Sequence, residues 1–389
     1  MTQKCNMQDF NKTISFIKSL YPAKDFIPLH EPLFTGNERK YVLDAIDSTY
    51  VSSVGEYVNR FEKMMAEQAG TKYAVAIVNG TAALHMSLLL ADVKAEDEVL
   101  TQALTFIATA NAISYINARP VFVDVDKETM GMSPTSLGNF LNKFAEKRKD
   151  GFTYNTLSGK RIKACVPMHT FGFPCMIDRL VEICERWNIS LIEDAAESIG
   201  SYYKGRHTGS FGLMGTFSFN GNKTITCGGG GAIVTNDESL ARRAKHLTTQ
   251  AKVPHKWEFV HDSVGYNYRM PNLNAAMACA QLEQLKVFVD NKRSLAASYE
   301  KHFSENPGLT FFKEPLNTLA NYWLNCVLLQ NKIERDAFLK DTNDSGVMTR
   351  PVWTLMNKLP MFEQCQHSEL TNSEFLEERL VNIPSSVVL

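Results

Sequence analysis

In a chain of 389 residues, 44% hydrophobic and 21% charged, 41 basic side chains stand against 42 acidic ones, giving a formal charge of −1. That balance excludes a broad nucleic-acid footprint, and no apolar run approaches the length needed to span a bilayer. A chain of this size buries roughly three quarters of its extended surface, enough for two domains.

The N-terminal stretch MTQKCNMQDFNKTISF lacks the uninterrupted apolar core of a signal peptide. It reads instead as a short amphipathic helix at the head of a cytoplasmic protein. The eight cysteines are scattered with no CxxC. Reduced thiols, and no structural metal, are the plain reading. A helix over 35–47 starts at Thr35 with Glu38 at capping-box spacing, and a second covers 58–69 after the Ser52–Gly55 turn. The apolar run 73–78 is a strand entering Asn79-Gly80-Thr81, with good helix formers over 82–90. Strand, tight turn and helix together leave free N–H groups that can hold an anion.

The alternation continues with strands at 98–102, 120–125, 162–167 and 190–194, and helices at 105–115, 137–147 and 177–187. A polar excursion occupies 148–161. Repeated βα units of this length predict a mostly parallel sheet covered by helices, with functional groups beyond the carboxyl ends of the strands. Residues 215–219 and 232–235 read as two strands around a glycine-rich loop. From Asn274 to Phe303 there is neither Pro nor Gly, which predicts one long helix or two in sequence. A second unit follows, with a strand at 323–329, a helix at 334–341 and an amphipathic segment at 372–380. The expected division is 1–271 for the N-terminal segment and large domain, 272–305 for a linking helix, and 306–389 for a smaller α+β domain.

Four clusters fall where such a sheet would gather them. Gly80 and Thr81 offer N–H groups and a hydroxyl to a phosphate, although any βα turn can hold Gly-Thr. Phe106 can stack on a flat ring or serve as plain core. Asp194, at a strand end before small residues, suits the protonated heterocyclic nitrogen of pyridoxal phosphate, or a helix cap. Ser218 can bind phosphate, and Lys223, after the turn-forming Asn-Gly-Asn, can pair with a phosphate charge or react with the aldehyde of that cofactor. His169, again after a strand, either sits over the cofactor, shapes the pocket or is a satisfied structural histidine. His169, Asp194, Glu197 and His207 lack recognised metal-ligand spacing, and Val78-Asn79-Gly80-Thr81-Ala82 is not the glycine fingerprint of a dinucleotide-binding fold.

The sequence resembles the DegT/DnrJ/EryC1/StrS family of pyridoxal-phosphate-dependent nucleotide-sugar aminotransferases. The resemblance lies in NGTAALH at 79–85, TFIATANAI at 105–113, MHTFG at 168–172, EDAAES at 193–198, GTFSFNGNKTITCGGGGAIVT at 215–235 and GYNYRMPNLNAA at 265–276. It implies an α/β fold of the type I aspartate aminotransferase kind, and a homodimer with shared active sites. It makes Lys223 the lysine that joins the cofactor and moves the proton, with Asp194 on the pyridine nitrogen and Phe106 on the ring. Gly80, Thr81 and Ser218 would hold the phosphate, joined by Asn267 from the other subunit. Arg269, in the same stretch, is a candidate for substrate contact or pocket shape. Glu197 stands where many relatives carry Gln beside the phenolic oxygen, and a carboxylate cannot donate there unless protonated.

Segments 26–38, 47–55 and 251–276 resemble more narrowly the subgroup tied to legionaminic-acid biosynthesis. They imply amination at C4 of UDP-2-acetamido-2,6-dideoxy-4-keto-glucose by L-glutamate, through pyridoxamine phosphate. A GDP-linked 4-keto-6-deoxy sugar of the perosamine type is the alternative. A regulatory protein on a retained aminotransferase fold is a further one, against which the intact Lys223, Asp194 and Ser218 stand.

Overall fold

The computed structural model describes residues 10–306 and 308–388. Helix α1 (Asn11–Leu20) buries Thr13, Ile14 and Ile17 on one stripe; the first part of the expected amphipathic segment, residues 1–9, lies outside the described residues. Helix α2 (Glu38–Asp47) begins at Glu38, not at Thr35. Glu38 turns back to accept the Gly36 N–H at 2.9 Å, and its other oxygen accepts from the buried Gln281 amide at 2.7 Å. That long-range partner displaces the local cap expected from Thr35. Helix α3 (Glu56–Ala69) ends where Gly70 turns left-handed, φ 66°.

Strand β1 (Tyr73–Ile77) leads into α4 (Gly80–Leu90), then β2 (Glu98–Gln102), α5 (Ile107–Ser114), β3 (Arg119–Val123) and α6 (Pro134–Phe144). Ser133 caps α6 ahead of Pro134, which has no N–H to leave unpaired. The polar excursion is a hairpin of β4 (Ala145–Lys147) and β5 (Thr153–Asn155). After it come β6 (Ile162–Val166), α7 (Ile177–Arg186), β7 (Ser190–Asp194), β8 (Tyr202–Tyr203), β9 (Arg206–His207), β10 (Met214–Ser218), β11 (Gly231–Thr235) and α8 (Glu238–Thr248). A single unbroken helix, α9 (Asn272–Glu305), carries the chain into β12 (Thr310–Phe311), β13 (Thr318–Leu319), β14 (Asn325–Leu328), α10 (Lys332–Asp344), β15 (Arg350–Pro351), α11 (Thr371–Glu377) and β16 (Leu380–Ile383).

The large sheet has the order β1-β11-β10-β7-β6-β2-β3, and only β11 runs against both neighbours. Alternate residues of β1 explain why both faces are covered. Ala74 and Ala76 enter a core with Phe61 and Met65 of α3 and Ala278 and Leu285 of α9. Val75 and Ile77 enter the opposite core with Leu84 and Leu88 of α4. Because β1, β10 and β7 run in the same direction, their carboxyl ends lie along one edge of the sheet, with the antiparallel β11 between β1 and β10. The mixed α/β architecture is the one expected.

A second sheet, β12-β14-β16-β15, is antiparallel. The N-terminal segment, expected with the large unit, packs instead into the core beside this later sheet. Phe10, Ile14, Ile17, Tyr21 and Ile27 share it with Phe338, Leu355 and Val381, because the apolar stripe of α1 has its complementary surface there. A small sheet, β13-β8-β9, pairs Thr318 with Tyr203 and ties the two regions together near the cleft. Among the described residues no helix is long and apolar enough to cross a membrane, and no group of three or more His, Cys, Asp or Glu is placed to hold a metal ion.

The closest backbone approach at the site edge is at Gly231, where a Cβ would lie 2.6 Å from the Asn79 carbonyl carbon and 2.9 Å from the Gly80 nitrogen. Neither neighbour is a side chain that can turn away. Gly231→Ala is expected to cost about 1–3 kcal/mol, read as a lower urea midpoint at unchanged m-value; an unchanged midpoint would show that the backbone here yields.

Candidate active site

The start of α4 forms one wall. Asn79, extended at φ −166°, caps the helix by accepting the Ala82 N–H on its side chain at 2.8 Å, and its carbonyl accepts from Ala83. The first N–H groups, those of Gly80 and Thr81, are left for a ligand at the positive end of the helix. Gly80 lies against Ser218 at the end of β10: a methyl there would sit 2.7 Å from the Ser218 Cβ. Glycine thus keeps open a cradle between two hydroxyl-bearing segments.

Asp194 ends β7 at the bottom of the cleft, 2% exposed. Its Oδ2 accepts the Thr109 hydroxyl at 2.7 Å and its Oδ1 accepts the Ala196 N–H at 3.2 Å. Burial raises this carboxyl above the ordinary aspartate range, against the pull of Thr109, Ala196 and the Lys223 charge. A buried carboxylate so held gains most from a positive ring nitrogen. Phe106 is 46% exposed, its ring open to the cleft and 5.9 Å from that of Trp353.

Lys223 enters from the β10–β11 loop, which is closed by the Phe219 N–H to Gly230 carbonyl bond at 2.8 Å and uses Gly228 at φ 79°. Its side chain is only 12% exposed. The ammonium lies 3.2 Å from Glu197 Oε1 and 3.9 Å from the centre of the Trp323 ring. The other oxygen of Glu197 accepts the Phe171 N–H at 2.8 Å. Burial pushes Glu197 up to about 7, opposed chiefly by Lys223. Its raised pKa puts a protonated, donating carboxyl within reach of neutral pH, which bears directly on its hydrogen bonding beside a phenolic oxygen.

Gly80, Thr81, Phe106, Asp194, Glu197, Ser218 and Lys223 thus line one cleft of about 690 Å³. His169, Asn267 and Arg269 do not line it. His169 is fully buried: Nδ1 accepts the Cys175 N–H at 3.2 Å, which leaves the proton on Nε2, 3.0 Å from Glu193. Glu193 also accepts the N–H groups of Gly209, Phe211 and Gly212 at 2.7, 2.6 and 2.8 Å. The pair holds the turn before β10, and so the height of the strand that carries Ser218. Arg269 is paired with Glu62 at 2.8 Å. Asn267 is exposed, its backbone bridged to Thr249.

Sequence reasoning missed Trp323, Arg350 and Trp353, which close the cleft from the second sheet's side. No local motif marks them. Thr109 had a signal, one helical turn beyond Phe106 in the same segment.

The residues fit pyridoxal phosphate on three observations. A helix N-terminus faces a glycine-kept gap, the buried Asp194 carboxylate forms no ion pair among the described residues, and a lysine amine is held inward in the same cleft.

The DegT/DnrJ/EryC1/StrS aminotransferase family description matches residues 33–389. The chain is 38% identical over 360 residues to a GDP-perosamine synthase of Escherichia coli O157:H7, covering 92% of this chain and 93% of that protein. It is 37% identical over 337 residues to the putative pyridoxal phosphate-dependent aminotransferase EpsN of Bacillus subtilis, covering 87% and 84%. The crystal structure of the aminotransferase TlmJ from Streptoalloteichus hindustanus superposes with a TM-score of 0.84 at 27% identity, over 92% of this chain and 93% of that one.

Glu197 generates a pH prediction. Its folded pKa of about 7 lies above the ordinary value of 4.5, so between these limits the folded state holds a proton that the unfolded state releases. Stability contributed by this group is therefore lost as pH rises through that window. In urea melts of cofactor-free protein, the stability of the parent relative to Glu197→Gln should fall by on the order of 1–3 kcal/mol from pH 5 to pH 8. A pH-independent difference would refute the shifted carboxyl.

Proposed function

The chain belongs to the DegT/DnrJ/EryC1/StrS aminotransferase family, and from that premise we propose that it transfers the amino group of L-glutamate to C4 of a nucleotide-linked 4-keto-6-deoxy sugar. Its class is that of pyridoxal-phosphate-dependent sugar aminotransferases. The observation that carries the reading is the convergence of Lys223, Asp194 and the α4 N-terminus on one cleft.

Pyridoxal phosphate, when bound, supplies a carbonyl that exchanges amino groups and a ring that draws charge from the substrate carbon. The Gly80 and Thr81 N–H groups with the Ser218 hydroxyl hold the phosphate in this reading. Asp194 keeps the ring nitrogen protonated, and Phe106 covers the ring. The Lys223 amine takes the proton from the α-carbon of glutamate and later delivers one to C4 of the sugar. One amine serves both halves of the reaction, so a single inward lysine is enough.

A homodimer belongs to the same reading. Trp257, Phe259 and Val264 are 73%, 79% and 83% exposed in the segment before Asn267, an apolar surface that a second copy would cover. Asn267 then supplies its amide to the phosphate site of that copy. Arg269 and His169 act on pocket shape from behind, through Glu62 and Glu193. The linking helix and the later sheet support the division at 272–305, with the α1 segment joining the small unit.

Similarity to a GDP-perosamine synthase favours a GDP-linked 4-keto-6-deoxy sugar. Segments 26–38, 47–55 and 251–276 favour the UDP-linked 2-acetamido sugar. Purified enzyme given L-glutamate is expected to lose its visible absorption band and release 2-oxoglutarate, and the correct keto sugar to restore the band. Restoration by one of the two sugars decides the nucleotide; restoration by neither sinks the sugar assignment. Lys223→Ala should abolish turnover, and Asp194→Asn should cut it sharply with the fold intact by circular dichroism. Asn267→Ala should release cofactor faster on dialysis; unchanged retention would remove it from the phosphate site.

A further inference from the structure

Lys292 is an unusual group for a protein interior. It lies on α9, 0% exposed, and no carboxylate faces it among the described residues. Its ammonium donates instead to two carbonyls, that of Ser385 and, at 3.2 Å, that of Trp323. Burial draws its pKa down to about 7. A buried lysine is an expensive way to join two carbonyls, and one of them belongs to the residue under the catalytic amine.

Trp323 is fixed at three further points. Its N–H donates to Asn321 Oδ1 at 2.7 Å. Its indole N–H donates to the carbonyl of Asn222, the neighbour of Lys223, at 2.7 Å. Its ring face lies 3.9 Å below the Lys223 ammonium. Asn321 is itself held by the Glu197 and Ile199 carbonyls, which accept from its amide at 2.9 and 2.8 Å. The Glu197 carboxylate and the indole face thus both lie against the ammonium, and His30 and Asp194 are the other titratable groups whose charge it feels. A cation gains from the face of Trp more than from any other side-chain ring, most of all when it is desolvated.

We propose that Trp323, latched from behind by Lys292, is a positioning residue that holds the Lys223 amine over the cleft. The proposal rests on Lys223 being the cofactor lysine. It assigns to the second sheet a direct hold on the amine: Trp323 lies just before β14, and Lys292 joins it to the segment after β16. Trp323 acts through the electrostatics and stance of Lys223, not by exchanging protons itself.

The test uses holoenzyme of the parent, Trp323→Leu, Trp323→Phe and Lys292→Met. The visible band is titrated with pH, and the L-glutamate half-reaction is followed at saturating donor. Trp323→Leu should lower the pH midpoint of the band by roughly half a unit to one unit and slow the half-reaction severalfold, with KM for glutamate little changed. Trp323→Phe and Lys292→Met should shift the midpoint in the same direction by less. A Trp323→Leu enzyme whose band titrates with the parent's midpoint and whose half-reaction keeps its rate overturns the role. If that variant does not fold, an unshifted midpoint in Trp323→Phe overturns it equally. A parent enzyme with no visible band would fail at the earlier step, the assignment of Lys223, and is distinguishable on that ground.

Discussion

A lysine amine kept inside a protein needs partners, and the cleft is arranged around that need. Lys223 lies against both the Glu197 carboxylate and the Trp323 ring, on a loop closed by the Phe219–Gly230 bond. Remove either partner and a charged group is left in a space with little water. Each partner is in turn immobilised by something farther away, Glu197 by the Phe171 N–H and Trp323 by Asn222, Asn321 and Lys292. The rigidity of the site therefore comes from the interior beneath it more than from the loop that bears the lysine.

The two carboxylates that share the cleft are kept distinct by their surroundings. Asp194 accepts a hydroxyl and an N–H and lies at the end of a central strand. Glu197 touches the lysine and sits near its own midpoint of titration at neutral pH. In the proposed reading Asp194 owes its negative charge to the positive ring nitrogen it faces, against the burial that raises its pKa, while Glu197 shares a proton with the amine beside it. The spacing of only three positions between them in the chain suffices because the backbone turns at once after β7.

How much of this was legible in the sequence follows from how local each signal is. Strands β2 and β7 have the bounds their apolar runs predict, and Gly80, Thr81, Asp194, Ser218 and Lys223 meet because each sits at the end of such a strand or on the loop it feeds. Helix α2 begins later than its capping pattern suggests because a glutamine from α9, far along the chain, takes the glutamate. Helix α8 went unread although Leu240, Ala241, Ala244 and Leu247 recur at helical spacing among its charged residues. Trp323, Arg350 and Trp353 reach the cleft only through the folding of the second sheet, and the sheet's two-residue strands carry too short an alternation to register. His169 was placed correctly after its strand, but only Glu193 and Cys175 decide which way its ring faces.

The docking of α1 beside the last sheet has a consequence for biosynthesis. Phe10, Ile14 and Ile17 are made well before partners such as Phe338 and Val381, which follow about 320 to 370 residues later, roughly 15 to 75 seconds at ordinary elongation rates. Through that interval the α1 stripe lacks the part of its core that the last sheet supplies, while Leu104, Val125 and Phe171 of the same core are made earlier. The small core is completed only when α1 meets the later sheet, so the cleft wall that bears Trp323 and Trp353 waits on segments far apart in the chain.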